Sequence, residues 1–323
     1  MPKGWASHDD IASLQQLQQT HTSVSDSTSL AVANDYAAIG GKAGEVALYS
    51  LSAGQVERSI QVGGAVTATI WAGEKLVLST DKGAVKVYAK GSEIASFTEH
   101  DRPVAGLAVH PGGLILASVG LDRDLVFYDI DALRTVFRMR HCSDSRKSGS
   151  SHVRSSKCLI TNCPTALSTC AFHPDGHLVA VGSQDGTIKV FSTKTGQFMA
   201  DFNLDAPVSA LAFSENGYWF AAASDKSPNV TIFDLRKEGA AARAKQLSTA
   251  GPVRSLAWDY SGQYLAAAGE NGVAVHQYNK SSKAWSVPLE VGGRTVAVRW
   301  GDEAKKLVWV QEQGEVTVQG VAE

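Results

Sequence analysis

One phrase recurs along the whole chain of 323 residues. It is an alternating strand, a turn rich in Gly, Asp and Asn, a short apolar strand, a tight turn and a further strand. The phrase is plainest in "ALSTCAFHPDGHLVAVGSQDGTIKVF", Ala166 to Phe191. It returns in "PVAGLAVHPGGLILASVGLDRDLVFYDI", "PVSALAFSENGYWFAAASDKSPNVTIFDLRK" and "PVRSLAWDYSGQYLAAAGENGVAVHQY". Weaker copies are "YAAIGGKAGEVALYSL", "AVTATIWAGEKLVLSTDKGAVKVY" and "TVAVRWGDEAKKLVWVQEQGEVTVQGV", which makes seven.

The third strands end at Tyr49, Tyr88, Tyr128, Phe191, Phe233, Tyr278 and Gln319, in steps of 39, 40, 63, 42, 45 and 41 residues. Four short strands per unit at about 40 to 45 residues is the spacing of WD40 propeller blades. A single blade has two apolar faces and cannot stand alone in water. Stacking seven around an axis buries those faces, and the ring must close to leave no open edge. The expected fold is therefore all-β, a seven-bladed WD40 propeller over residues 18–323. The last copy stops after three strands, so Gln18 to Val24, "QQTHTSV", is expected to supply its outer strand and clip the ring shut. Residues 1–17 read as a lead-in, with Ser7 and Asp10 in capping-box spacing at the start of a short helix. The long step marks an insertion between blades three and four, "HCSDSRKSGSSHVRSSKCLITNCPT", His141 to Thr165. Rich in Ser and charge, it is expected to be flexible and dispensable for folding.

The blades carry His, Asp and Ser, the inventory of a hydrolase, but their spacing argues for structure. His173 follows a first strand and Asp185 follows a second, at opposite edges of a blade. A strand of about seven residues at 3.3 Å each holds them more than about 20 Å apart, far beyond hydrogen-bond reach. In blade three, His100, Ser118 and Asp122 are expected to form a buried polar network with Tyr128 at the end of the third strand. Blade four keeps Ser183 and Asp185. It has Phe191, without a donor, in place of Tyr128, and no loop His.

No phosphate-binding loop, dinucleotide fingerprint, HExxH or GxSxG motif occurs, so no catalytic residue and no cofactor is expected. Thirty basic and 32 acidic residues leave a net charge of −2, which gives no global reason to expect nucleic acid. No apolar run approaches the roughly 20 residues that span a bilayer. His141, Cys142, His152, Cys158 and Cys163 are zinc-ligand types within the insertion, but no CxxC pair seeds a site. They read as thiols and imidazoles on a mobile loop, and no metal is expected. Arg146, Lys147, Arg154 and Lys157 allow at most a weak contact of that loop with RNA phosphate. Cys170, inside a first strand, reads as core.

"FTEHDRPVAGLAVHP", "CAFHPDG" and "FSENGYWFAAASD" followed by "FDLRK" resemble the pre-mRNA-processing factor nineteen family, the U-box ubiquitin ligases of the spliceosome-associated nineteen complex. The resemblance runs from "PKGWASHDDIASLQQ" through blade six and is strongest between Phe97 and Lys237. It implies a non-catalytic, nuclear platform that recruits splicing factors or ubiquitination substrates, with a role in spliceosome activation and DNA repair. The family's U-box and tetramerising coiled coil have no counterpart here, so this chain by itself is expected to be a monomeric C-terminal propeller.

Propellers bind through their turns, and blade five offers Asn216, Tyr218 or Trp219, Asp234 and Arg236 on one edge. Tyr218 and Arg236 are the preferred anchors, because Tyr218 sits where the strand leaves its turn. An alternative comes from "FDLR", Phe233 to Arg236, which resembles the WDxR box of cullin-ligase substrate receptors. A propeller hydrolase or lyase would need carboxylates or His at the channel mouth, and none can be assembled from the sequence.

Overall fold

The computed structural model describes residues 15–140, 159–160, 163–286, 288–301 and 306–320. They form seven sheets, arranged as blades, five of four strands and two of five. Each blade begins with an inner strand: Ser27–Ala33, Val66–Ala72, Val104–Val109, Leu167–Phe172, Ala210–Phe213, Val253–Trp258 and Thr295–Gly301. Each inner strand packs on the next, and the last returns to the first, closing a ring. Strand alternation sends apolar side chains to both faces of every blade. The core consequently lies between blades. Leu30, Ile39 and Tyr49 of blade one meet Val308, Val310 and Val316 of blade seven in one cluster. Burying each such Val, Leu or Ile contributes about 1.5–3 kcal/mol.

Ring closure uses the N-terminal segment, with shifted limits. Gln15–His21, rather than residues 18–24, pairs antiparallel with Glu315–Gly320 as the outer strand of blade seven. The open edge runs as far as Gly320, so pairing extends to Gln15 and satisfies backbone groups along its whole length. Residues 15–17, read from sequence as part of a helical lead-in, are therefore strand; residues 1–14 lie outside the described residues. Val24 falls in the loop beyond the strand and is buried in the core between blades seven and one. Gln18 ties the seam to blade one: its Nε2 donates to the Leu51 carbonyl (2.9 Å) and its Oε1 accepts from the Tyr49 hydroxyl (3.0 Å). Gly314, at φ 84°, lies so close to the seam that a Cβ there would collide with the Val24 carbonyl.

The insertion also differs from its sequence reading. Residues 141–158, including His141, Cys142, His152 and Cys158, lie outside the described residues. Leu159–Ile160, however, pairs in parallel with Met139–Arg140 as a fifth strand of blade three. Cys163 is 1% exposed and packs in the core cluster shared by blades three and four. The end of the segment thus belongs to the folded body. An apolar thiol following a strand pairing is better placed in that core than in water. Cys170 is buried in the same cluster.

Candidate functional site

In blade three the polar residues meet. His100 and Ser118 are buried, with His100 Nε2 at 2.7 Å from Ser118 Oγ and Ser118 Oγ at 3.1 Å from the Tyr128 hydroxyl. His100 Nδ1 lies 3.0 Å from both oxygens of Asp122. In a neutral ring, Nδ1–H donates to Asp122, Nε2 accepts from Ser118, and Ser118 accepts from Tyr128, so every buried polar atom has a partner. Burial raises the Asp122 carboxyl, but the hydrogen bond from His100 and the backbone N–H groups of Asp124 and Asp101 outweigh it and leave it lowered. Arg138 donates to Asp124 alongside (2.7 Å from Nε).

In blade four, Ser183 turns to Asp185 and to the Thr187 carbonyl, and Asp185 accepts from the Thr187 N–H (2.9 Å). This pair organises its own turn, while Phe191 is buried by packing alone. His173 is apart from both. Its Nε2–H donates to the Gly217 carbonyl of blade five (2.5 Å), joining the first turns of neighbouring blades. None of these groups converges on a space where a substrate atom would sit, and their chemistry is structural.

The two faces of the disc differ. One carries the turns that join first to second and third to fourth strands; the other carries the remaining loops. Nine large hydrophobic side chains are exposed among the described residues. Five of them, Tyr36, Leu114, Phe198, Tyr218 and Tyr260, sit at the turns of the first face, and the other four lie on outer strands. Spread over five of the blades, they make this face the candidate interaction surface.

On that face, blade five builds a rigid unit from four of the five residues singled out by sequence, Asn216, Tyr218, Asp234 and Arg236. Asn216 Oδ1 accepts from the N–H groups of Tyr218 and Trp219 (both 3.0 Å), which closes the turn around Gly217, held at φ 75°. Asp234 ends the third strand, and its Oδ1 accepts from the Arg236 N–H (3.0 Å). Buried Asp234 also takes the Arg236 side chain in a two-point grip, Nε to Oδ1 at 2.8 Å and Nη2 to Oδ2 at 2.7 Å. That bond holds the Asp234 carboxyl below its usual range. The guanidinium then lies over the Tyr218 ring, 4.1 Å from its centroid. The side chain of Arg236 is 60% exposed and Tyr218 is 39% exposed, so a stacked pair faces water on a fixed base. Trp219 takes the other direction, packing at 4.8 Å on Tyr278 and 6.3 Å on Trp285 of blade six.

Sequence reading passed over the neighbours. Tyr260 lies in the first turn of blade six, and that turn rests on blade five: a Cβ at Gly262 would be 2.9 Å from Ser214 Oγ. Phe198 opens the outer strand of blade four. Both were legible only as aromatics at turn positions, a weak signal until the ring is assembled. A groove of about 900 Å³ lies on the same face at blades one to three, lined among others by Tyr36, Arg58, Trp71 and Leu114.

Comparison with known proteins agrees with this architecture. The WD domain, G-beta repeat model matches residues 91–129, 156–192, 197–230 and 244–275. The chain is 28% identical to Pre-mRNA-processing factor 19 of Dictyostelium discoideum over 77% of its length and 48% of that protein. It is 27% identical to the protein of that name from Oryza sativa subsp. japonica, over 70% of the chain and 41% of the relative. With Pre-mRNA-processing factor 19 homolog 2 of Arabidopsis thaliana the identity is 26%, over 84% of the chain and 49% of the relative. The chain spans about half the length of these relatives or somewhat less. This seven-bladed propeller carries WD40 repeats and is homologous over most of its length to Pre-mRNA-processing factor 19, consistent with the C-terminal WD40 propeller of that protein.

Proposed function

We propose that this propeller is the recruiting domain of a nuclear pre-mRNA splicing factor and binds its protein partners through the Tyr218–Arg236 edge of blade five. The observation that carries the reading is the Asp234-clamped Arg236 stacked on Tyr218 and exposed on the apolar-rich face. An aromatic and a pre-oriented guanidinium on rigid turns lose little conformational entropy on binding, the character of interface hot spots. The partners are splicing proteins of the nineteen complex, and substrates presented for ubiquitin transfer if the whole protein carries a U-box. The chemistry would then reside in that other domain, and DNA-repair roles would follow from the same recruitment.

The test is a pull-down from nuclear extract with the chain and with a Tyr218→Ala, Arg236→Ala variant whose fold is verified by circular dichroism. Spliceosomal proteins should be recovered by the chain and lost, about tenfold or more, with the variant. Equal recovery by both would move the site elsewhere. Recovery of a cullin-ligase adaptor instead, lost on Arg236→Ala, would favour the receptor reading.

A further inference from the structure

Blade six continues the blade-five edge. From Arg236 over Tyr218, a run of ring contacts passes through Trp219 (6.0 Å from Tyr218) to Tyr278 and Trp285. Tyr278 and Trp285 face each other across one hairpin, with ring centroids 5.3 Å apart and Tyr278 paired to Trp285. The turn of that hairpin holds Lys280 and Lys283, both exposed, with Asn279 Oδ1 accepting from the N–H groups of Ser281 and Ser282. The matching turn of blade five holds Arg236 and exposed Lys237. Together the two turns present four cations against Glu238, which is also exposed. Asp234 is buried beneath, and Glu215, on the adjoining first turn of blade five, adds a second exposed carboxylate. Tyr218 stands against Arg236, and exposed Tyr260 and Phe198 lie at turns of the same face, on blades six and four.

We infer that this joint surface of blades five and six docks an acidic peptide segment of a protein partner, one with Asp and Glu side chains flanking an apolar or aromatic residue. The inference rests on the proposed blade-five edge and names the chemistry of what it binds. Charge complementarity selects the acid: the two turns carry four exposed cations at the ends of strands joined by the Tyr218–Trp219–Tyr278–Trp285 run of rings. Carboxylates suit the layout better than a phosphate group. Asp234 already occupies the Nε and Nη2 edge of Arg236 and offsets part of its charge. The lysines are single charges spread over two hairpins. Several monoanions match such a spread, whereas a dianion needs cations that converge.

The experiment is fluorescence anisotropy with a short labelled peptide of alternating Glu and Asp around a central Phe. Controls are its Lys counterpart, a version with phosphoserine in place of the acids, and a labelled oligouridine strand. The acidic peptide should bind the chain, weaken as salt rises, and bind about tenfold more weakly to a Lys237→Glu, Lys280→Glu variant. These lysines are exposed, and neither is placed in the packing of the fold. Tighter binding of the phosphorylated peptide or of oligouridine, equal binding of the Lys peptide, or indifference to the charge reversal would each overturn the inference. Pull-downs abolished by Tyr218→Ala, Arg236→Ala but untouched by the lysine reversal would retain the blade-five edge and discard the acidic partner.

Discussion

Blades three and six each bury a histidine, and the two imidazoles live in opposite circumstances. His100 is 4% exposed and has a partner at each ring nitrogen. His276, on the third strand of blade six, is 2% exposed, and neither nitrogen has a hydrogen-bond partner among the described residues. Burial pushes His276 down to about 4, since nothing around it compensates for losing water. The same residue type therefore holds one blade together and is a weak point in another. What separates them is the company that the strands deliver, since a buried polar group is worth as much as its satisfaction.

The largest effect expected from this contrast is at His100. His100→Ala would leave Ser118 and Asp122 without their shared partner and open a void, at a cost of about 3 kcal/mol. A fall in Tm of roughly 4–5 °C should follow in thermal unfolding. A loss under about 1 kcal/mol would show that blade three stands by packing alone, as blade four does.

Next comes acid sensitivity. The folded state of His276 resists protonation down to about 4, while the unfolded chain takes the proton near 6.5. Protons therefore bind the unfolded state preferentially between these values, and stability is lost as pH falls through that window. The loss amounts to about 2 to 3 kcal/mol by pH 4.5. His276→Leu should remove this dependence and be neutral or stabilising by about 1 kcal/mol at pH 7. Denaturant unfolding of both chains at the two pH values checks it. Parallel losses in wild type and variant would place the acid-sensitive group elsewhere. Blade three should respond differently: Asp122 is lowered, so its contribution persists until pH falls below the ordinary carboxylate range.

The smallest effect is expected in blade four. Phe191 pairs with Val179 as Tyr128 pairs with Leu116, so Val181 stands where Ser118 does and Ser183 lies two residues further along the strand. Phe191→Tyr would therefore add a hydroxyl beside Val181, with no serine in the place of Ser118. A loss of about 1 kcal/mol is expected in denaturant unfolding. No loss, or a gain, would mean that the new hydroxyl finds a partner elsewhere.

The period of 39 to 45 residues in most steps was enough to settle the fold class and the number of blades. Strand alternation and turn chemistry are local, and copying them seven times leaves few ways to bury the apolar faces. The blade-three residues were legible for the same reason: strand and turn positions determine which side chains share a blade edge. Asp234 and Arg236 were legible as residues of one turn edge, but the two-point grip between them is seen only in the structure.

Other features required the assembled ring. His276 sits in a strand as ordinary as its neighbours, and only contact between blades shows that both its nitrogens are left without partners. Cys163 looked like a loop thiol until a parallel pairing between Leu159–Ile160 and Met139–Arg140 drew the chain back onto the blade. The stacking of Arg236 on Tyr218 joins two turns that are distant along the chain, and Trp285 reaches Trp219 from the next blade. The sequence by itself determined which local units form and how many. The tertiary structure decided which polar groups find partners and which aromatics stay exposed, because burial and satisfaction belong to pairs of surfaces that meet only when the ring closes.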